Sequence, residues 1–196
     1  MRREGPRILI LLILFCYCAG CSSPTSTLSS SNATIPADDY SHWVLKVNGT
    51  THKEYTLDEL RKLPSTTGYG FAVSTVGIKY GPYMCKGVLL SDLLEQVGGI
   101  SKGDHVWISA PDGYVWVFDY DQVQGTGFIT FNESLKEIPP PPLQILLAYE
   151  FNDTPLTYND GAPLRVAIIS DEKGIVTEGS AWVKWVNNIE IHRNPQ

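Results

Sequence analysis

Cys85 stands beside Lys86, and a cation next to a cysteine lowers the thiol pKa toward the nucleophilic, metal-binding thiolate. The competing reading is a small buried apolar side chain, which is the commoner fate of a free cysteine. His42, His52, His105 and His192 show no close ligand spacing and no cysteine pair accompanies them, so a zinc-type cluster is not encoded. His105 alternates with Trp107 along a predicted strand, which makes it a structural residue. Asp119 and Asp121 could act as paired carboxylates, but at a strand end such a pair reads as a solvated turn. Cys18-Ala-Gly-Cys21 spells C-x-x-C, yet a redox pair of that kind opens a helix inside a folded domain. Here it ends an apolar leader. There is no G-x-S-x-G elbow and no P-loop. Gly68-Tyr-Gly70 lacks the third glycine and the βαβ setting of a dinucleotide site.

The elements that must position these residues begin after the N-terminal leader. Arg2, Arg3 and Arg7 precede an apolar run from Ile8 to Tyr17 that ends in small residues, the pattern of a secretory signal. The run is shorter than the roughly 20 residues that span a bilayer. Ala19-Gly20-Cys21 resembles a lipobox, which would make residues 1–20 a signal peptide and lipidated Cys21 the mature N-terminus. A two-chain lipid anchors firmly where one chain does not. An uncleaved anchor is the alternative, and both readings put the remainder outside the cytoplasm. Residues 21–39 are Ser/Thr-rich with Pro24 and Pro36 and read as a flexible tether. With Cys16 and Cys18 removed and Cys21 lipidated, Cys85 is left without a disulfide partner. Asn32, Asn48, Asn132 and Asn152 each open a glycosylation tripeptide.

Residues 40–196 carry the periodic sequence of one domain. Trp43 to Val47 reads as a strand entering the turn at Asn48-Gly49. Thr56-Leu-Asp-Glu59 is a capping-box pattern that opens a helix through Lys62, stopped by Pro64. Phe71–Val76 and Ile78–Tyr83 read as a strand pair around Gly77. Ser91 is expected to cap a helix over 92–97 that ends at Gly98-Gly99. His105–Ser109 and Tyr114–Phe118 flank Pro111-Asp-Gly113 as a hairpin. Pro139 to Pro142 is a stiff connector. Leu143–Glu150, Pro163–Ile169 and Ala181–His192 supply three further strands. The class is α+β, rich in β. Alternating aromatics, among them Tyr69, Tyr80, Tyr83, Tyr114 and Trp116, read first as core and second as the walls of a cleft.

Composition narrows the function. The 196 residues are 43% hydrophobic and only 18% charged, which is the balance of a folded chain. The net charge is −6, and the basic leader contributes +2 of it, leaving −8 beyond it. Such a chain has no electrostatic footprint for a phosphate backbone, so nucleic acid is excluded as a partner.

Six segments then line up: Tyr55-Thr-Leu-Asp-Glu-Leu60, Cys85-Lys-Gly-Val-Leu-Leu-Ser-Asp-Leu-Leu94, Leu147-Ala-Tyr-Glu-Phe-Asn-Asp-Thr-Pro-Leu156, Gly161-Ala-Pro-Leu-Arg165, Trp182-Val-Lys-Trp185 and Ile189-Glu-Ile191. Their order and spacing resemble the sulfite-oxidase-type molybdopterin-binding domain. That resemblance implies a β-rich fold around a pyranopterin and its molybdenum, with a cysteine thiolate on the metal and basic residues on the cofactor's phosphate. By position, Lys184 matches the family's basic residue near the cofactor, and Arg165 matches the arginine after Ala-Pro-Leu. The metal-binding cysteine should lie upstream of Gly87-Val88, where this chain has Ser74 and Thr75. A hydroxyl is harder and far more basic than a thiolate and does not stand in for it. Cys85 is the remaining candidate ligand, at a position where the family has Trp or Tyr. Ser170-Asp-Glu-Lys-Gly174 replaces the Pro-Gly loop expected after Arg165. Molybdopterin is therefore the cofactor implied, with molybdenum in doubt. Three functions stay open: a molybdenum oxidoreductase, a degenerate module binding a small molecule or pterin, and a surface module for a partner protein. The missing thiolate favours the second.

Overall fold

The computed structural model describes residues 39–194; the leader, Cys21 and nearly all of the tether lie outside them. Leu45 and Val47 are buried while Lys46 faces water, the two-residue period of a strand with one wet face, and Val44–Asn48 forms β1. The chain turns back at once as β2 (His52–Thr56), antiparallel to β1. Thr56 and Glu59 close the expected capping box, Glu59 N–H donating to Thr56 Oγ1 and Thr56 N–H to Glu59 Oε2. The helix it opens, α1 (Leu57–Leu60), is only one turn long.

β3 (Thr66–Val73) and β4 (Lys79–Leu89) form a longer hairpin than the sequence predicts, with Ser74–Ile78 as its turn and a register shift between Gly70 and Ala72. β4 runs straight into α2 (Leu90–Glu95), so Leu89 is the N-cap and Ser91 sits inside the first turn, not at the cap. Next come β5 (His105–Ser109) and β6 (Val115–Asp119), the predicted hairpin. Asp119 is not a loose turn residue: its carboxylate accepts from Gln122 N–H and caps α3 (Tyr120–Val123). A short hairpin, β7 (Thr130–Phe131) with β8 (Glu137–Ile138), precedes the proline connector. After it come β9 (Gln144–Phe151), β10 (Thr154–Pro155), β11 (Arg165–Ser170), β12 (Thr177–Glu178) and β13 (Asn188–His192).

The predicted strand over 181–192 exists only in its second half. A 3₁₀ turn at Gly179–Ala181 and an irregular segment through Asn187 take the first. This segment bonds to β11 and the residues before it: Val166 N–H donates to Val183 O, Trp185 N–H to Gly161 O and Val186 N–H to Leu164 O. Trp185 is in the left-handed region at φ 54°, which a continuous strand does not allow.

One five-stranded sheet runs β2-β1-β13-β5-β6. In the other, β3 pairs with β4, β4 with β9, β9 with β11, and β11 with β3, so four strands close into a ring. β10 and β12 extend it at the sides. Leu90, Leu93 and Leu94 of α2 join Leu45, Ile108, Phe118, Leu147 and Ile168 in a continuous apolar core. All six residues of β11 are buried, which fixes the position of everything attached to its start. No helix among the described residues is long and apolar enough to cross a membrane.

Candidate functional site

Arg165 opens β11 and is only 8% exposed. A buried guanidinium needs partners for its donors. One is the Asp160 carbonyl, which accepts from Nη1 at 3.0 Å. The rest of its surroundings are rings, with Trp182 and Phe151 centred 5.4 and 5.9 Å from Cζ. Arg165 Nε is buried and unpartnered.

Lys184 reaches the same place from the irregular segment. Gly161 makes this approach possible: a β-carbon there would lie 2.8 Å from Lys184 Cβ and Cγ, and its φ of 104° suits glycine. Lys184 Nζ donates to the Asn159 carbonyl and lies 5.7 Å from the Trp185 ring centre. Among the described residues no carboxylate comes within ion-pair distance of Arg165 or Lys184. Asp160 is near, but its Oδ2 is held by Thr157 Oγ1 at 2.5 Å in the cap of the 3₁₀ turn Tyr158–Asp160. Burial, and then the charge of Arg165, holds the Lys184 ammonium below the usual lysine range. Burial likewise lowers Arg165, although a guanidinium stays charged at any working pH.

The two cations face a cleft of about 390 Å³. Trp182 and Trp185 form one wall with them, Tyr80 and Tyr83 of β4 another. Tyr114 comes across from the β5–β6 turn, its hydroxyl donating to the Ser180 carbonyl at 2.7 Å. Burial raises the Tyr114 phenol, and Glu178 adds to the effect, so it stays protonated and remains a donor. A buried guanidinium, a half-buried ammonium and aromatic walls, with Asp112 and Asp160 also in the lining but ion-paired to neither cation, make a candidate receptor for a small anion.

The other sequence candidates lie elsewhere. Ser74 and Thr75 occupy the β3–β4 turn, and Ser74 Oγ is engaged by Ile78 N–H at 3.0 Å. Neither residue is among those lining the cleft. Cys85 is 0% exposed on β4, outside the cleft lining. A β-carbon on Gly70 would lie 2.7 Å from its Sγ and 2.6 Å from Trp182 Cη2, which shows how closely the thiol is packed. Burial pushes the Cys85 pKa up to about 12 against the opposing pull of Arg165. Lys86 does not activate it, being paired with Glu150 at 3.2 Å. Tyr80, Tyr83 and Tyr114 are cleft walls, whereas Phe71 and Phe118 are core. The sequence reading missed the carbonyls of Asn159 and Asp160 as cation partners; the Gly161 beside them was the available signal.

A family model described as the oxidoreductase molybdopterin binding domain matches residues 32–196. The chain belongs to this family. Among solved structures it is similar to the sulfane dehydrogenase SoxCD from Paracoccus pantotrophus, with a TM-score of 0.59 and 20% identity over 79% of this chain. At that identity the likeness is one of fold, and it spans only 39% of the SoxCD chain. A search of the curated proteins gave no match.

The family binds molybdopterin, and the residues present fit only one end of such a group. The oxyanion end suits Arg165, with its orphaned Nε, and Lys184. The metal end does not fit. It needs a thiolate, and Cys85 is a packed, protonated thiol outside the cleft. Among the described residues no three His, Cys, Asp or Glu side chains gather as a substitute.

Proposed function

We propose that this protein is a membrane-tethered, extracytoplasmic binding module of the molybdopterin-binding family that holds a small anionic molecule in the Arg165–Lys184 cleft. One observation carries this reading: a buried guanidinium with an unpartnered Nε lies beside a second cation, and neither is ion-paired although Asp112 and Asp160 line the same cleft. The displacement of Cys85 from the cleft supports a role without oxygen-atom transfer at molybdenum. The N-terminal pattern supports export, with Cys21 as the lipid-bearing residue.

In this reading Arg165 supplies the directional contact. Its ring neighbours hold the guanidinium plane, so little freedom is lost when a carboxylate or phosphate binds. Lys184 adds a second charge beside it, and the tyrosine rings flank both cations. Titration calorimetry with inorganic phosphate and sulfate, on protein from a molybdenum-replete host, tests the reading together with metal and pterin analysis. Saturable anion binding without stoichiometric molybdenum is expected. One molybdenum per chain, lost in Cys85→Ala, would establish instead the second reading that family membership favours, an active molybdenum oxidoreductase. For the anchor, Cys21→Ala should abolish labelling by a lipid precursor; undiminished labelling would refute it.

A further inference from the structure

We propose that the anion held in this cleft is one end of a zwitterion: a small amino acid whose carboxylate meets Arg165 and Lys184 and whose ammonium is drawn to Asp112 and Asp160. The proposal rests on the anion-binding reading above for the first half of the ligand and adds the second.

Three observations converge on this ligand. First, the charged side chains that line the cleft are Arg165, Lys184, Asp112 and Asp160, two of each sign. A receptor for a simple anion gains from a net positive lining, whereas a lining that sums to zero suits a guest that does the same. Second, these opposite charges share the cleft without closing on one another: among the described residues neither carboxylate is ion-paired. Each is held by its own turn. Asp112 Oδ1 accepts from Tyr114 N–H at 3.0 Å, and Asp160 Oδ2 accepts from Thr157 N–H at 3.3 Å and from Thr157 Oγ1. Asp112 Oδ2 and Asp160 Oδ1 are left with no hydrogen bond among the described residues. The site thus offers unused acceptors as well as the unused donor at Arg165 Nε. Third, the ring faces are divided. Trp182 and Trp185 already carry the protein's own cations, Arg165 at 5.4 Å and Lys184 at 5.7 Å. Tyr80 and Tyr114 are 41% and 43% exposed and, among the described residues, meet no other ring and no cation. The face of a tyrosine ring is negative, so it attracts an ammonium and not a carboxylate.

The test is titration calorimetry on the full chain in detergent micelles, with inorganic phosphate and probe pairs matched in chain length: glycine with acetate, β-alanine with propionate, and γ-aminobutyrate with butyrate. A hydrogen bond between charged groups is strong enough that the best-fitting zwitterion should bind about tenfold tighter than its matched carboxylate. Asp112→Asn and Asp160→Asn each keep an oxygen for the local turn and lose the charge. Each should lower the ratio of zwitterion to carboxylate affinity, and the double variant should bring it toward one. The carboxylate itself should hold or gain affinity in these variants, because a negative charge has left the cleft; a structural role for the aspartates would weaken both members of a pair alike. If phosphate or a carboxylate binds and no zwitterion binds tighter than its partner, the zwitterion is refuted while the anion site stands. A ratio unchanged in both single variants, or a loss shared equally by the two members of a pair, also refutes it. If no probe binds, phosphate included, the anion reading falls and takes this proposal with it.

Discussion

Two buried ionic groups in this molecule are treated in opposite ways. Asp104, just before β5, accepts from Arg193 Nη1 at 2.7 Å, from Ser101 N–H at 2.9 Å and from Asn194 N–H at 3.1 Å. Arg193 also donates to Thr50, so one carboxylate joins the β1–β2 turn, the start of β5 and the chain after β13. Every oxygen of Asp104 has a partner. Arg165 is as deeply buried but has one carbonyl, two rings and a nitrogen with nothing to bond. A satisfied buried charge serves the fold, whereas an unsatisfied one facing a cleft is a candidate to meet a ligand.

Breaking each group should therefore have opposite signatures. Asp104→Ala strands two backbone donors and Arg193, and should cost about 3 kcal/mol in unfolding free energy by urea denaturation. Anion affinity in the cleft should be unchanged; a cost below about 0.5 kcal/mol would show the network to be ornamental. Arg165→Met reverses the pattern. Phosphate affinity should fall about thirtyfold, roughly 2 kcal/mol, with stability within about 1 kcal/mol of the parent. A large loss of stability with intact binding would make Arg165 structural as well.

Cys85 offers a third, neutral comparison. Cys85→Ser places a hydroxyl in a packed site and should cost about 1–2 kcal/mol. Because the thiol is held at about 12, iodoacetamide should label it at neutral pH only in urea. Fast labelling of the folded protein would instead place it at an accessible site. The smallest effects come from titration. Burial pushes the Asp104 carboxyl up, but its hydrogen bonds from Ser101, Arg193 and Asn194 outweigh this and hold it below the usual range. Its stabilisation is thus complete above the unfolded carboxylate pKa of about 3.9 and disappears as pH falls through the lower folded value. The gap between parent and Asp104→Ala stability should therefore narrow below about pH 4 and stay constant from pH 5 to 8. Lys184 works at the other end: anion affinity should weaken before pH reaches about 10.4, since its ammonium deprotonates early.

Much of this was legible from local chemistry. The Thr56–Glu59 box, the β5–β6 hairpin and the buried run of β11 each follow from signals within a few residues. Arg165 and Lys184 were reachable only through the order of the family's segments, because the cleft they share is built from chain elements nineteen residues apart in sequence. The failures share a cause in long-range pairing. Ser91 lost its cap because β4 runs without interruption into α2. The first half of the last strand became irregular because its hydrogen bonds go to Gly161, Leu164 and Val166, at and before the start of β11, rather than in register along one strand. The left-handed Trp185 had no sequence signal, since glycine or asparagine is the usual sign of such a position.

The ring of β3, β4, β9 and β11 has a consequence for time scale. An open sheet frays from its outermost strand, and β2 and β6 are such strands here. A closed circuit has no outermost member. Amide protons on β9 and β11 therefore exchange with solvent only in the rare, cooperative openings that break the whole circuit, while those of β6 exchange through local ones. Arg165 and Tyr83 are mounted on this slow circuit, and Tyr114 hangs from the fast hairpin. The guanidinium of the cleft is thus carried by the part of the fold expected to open last.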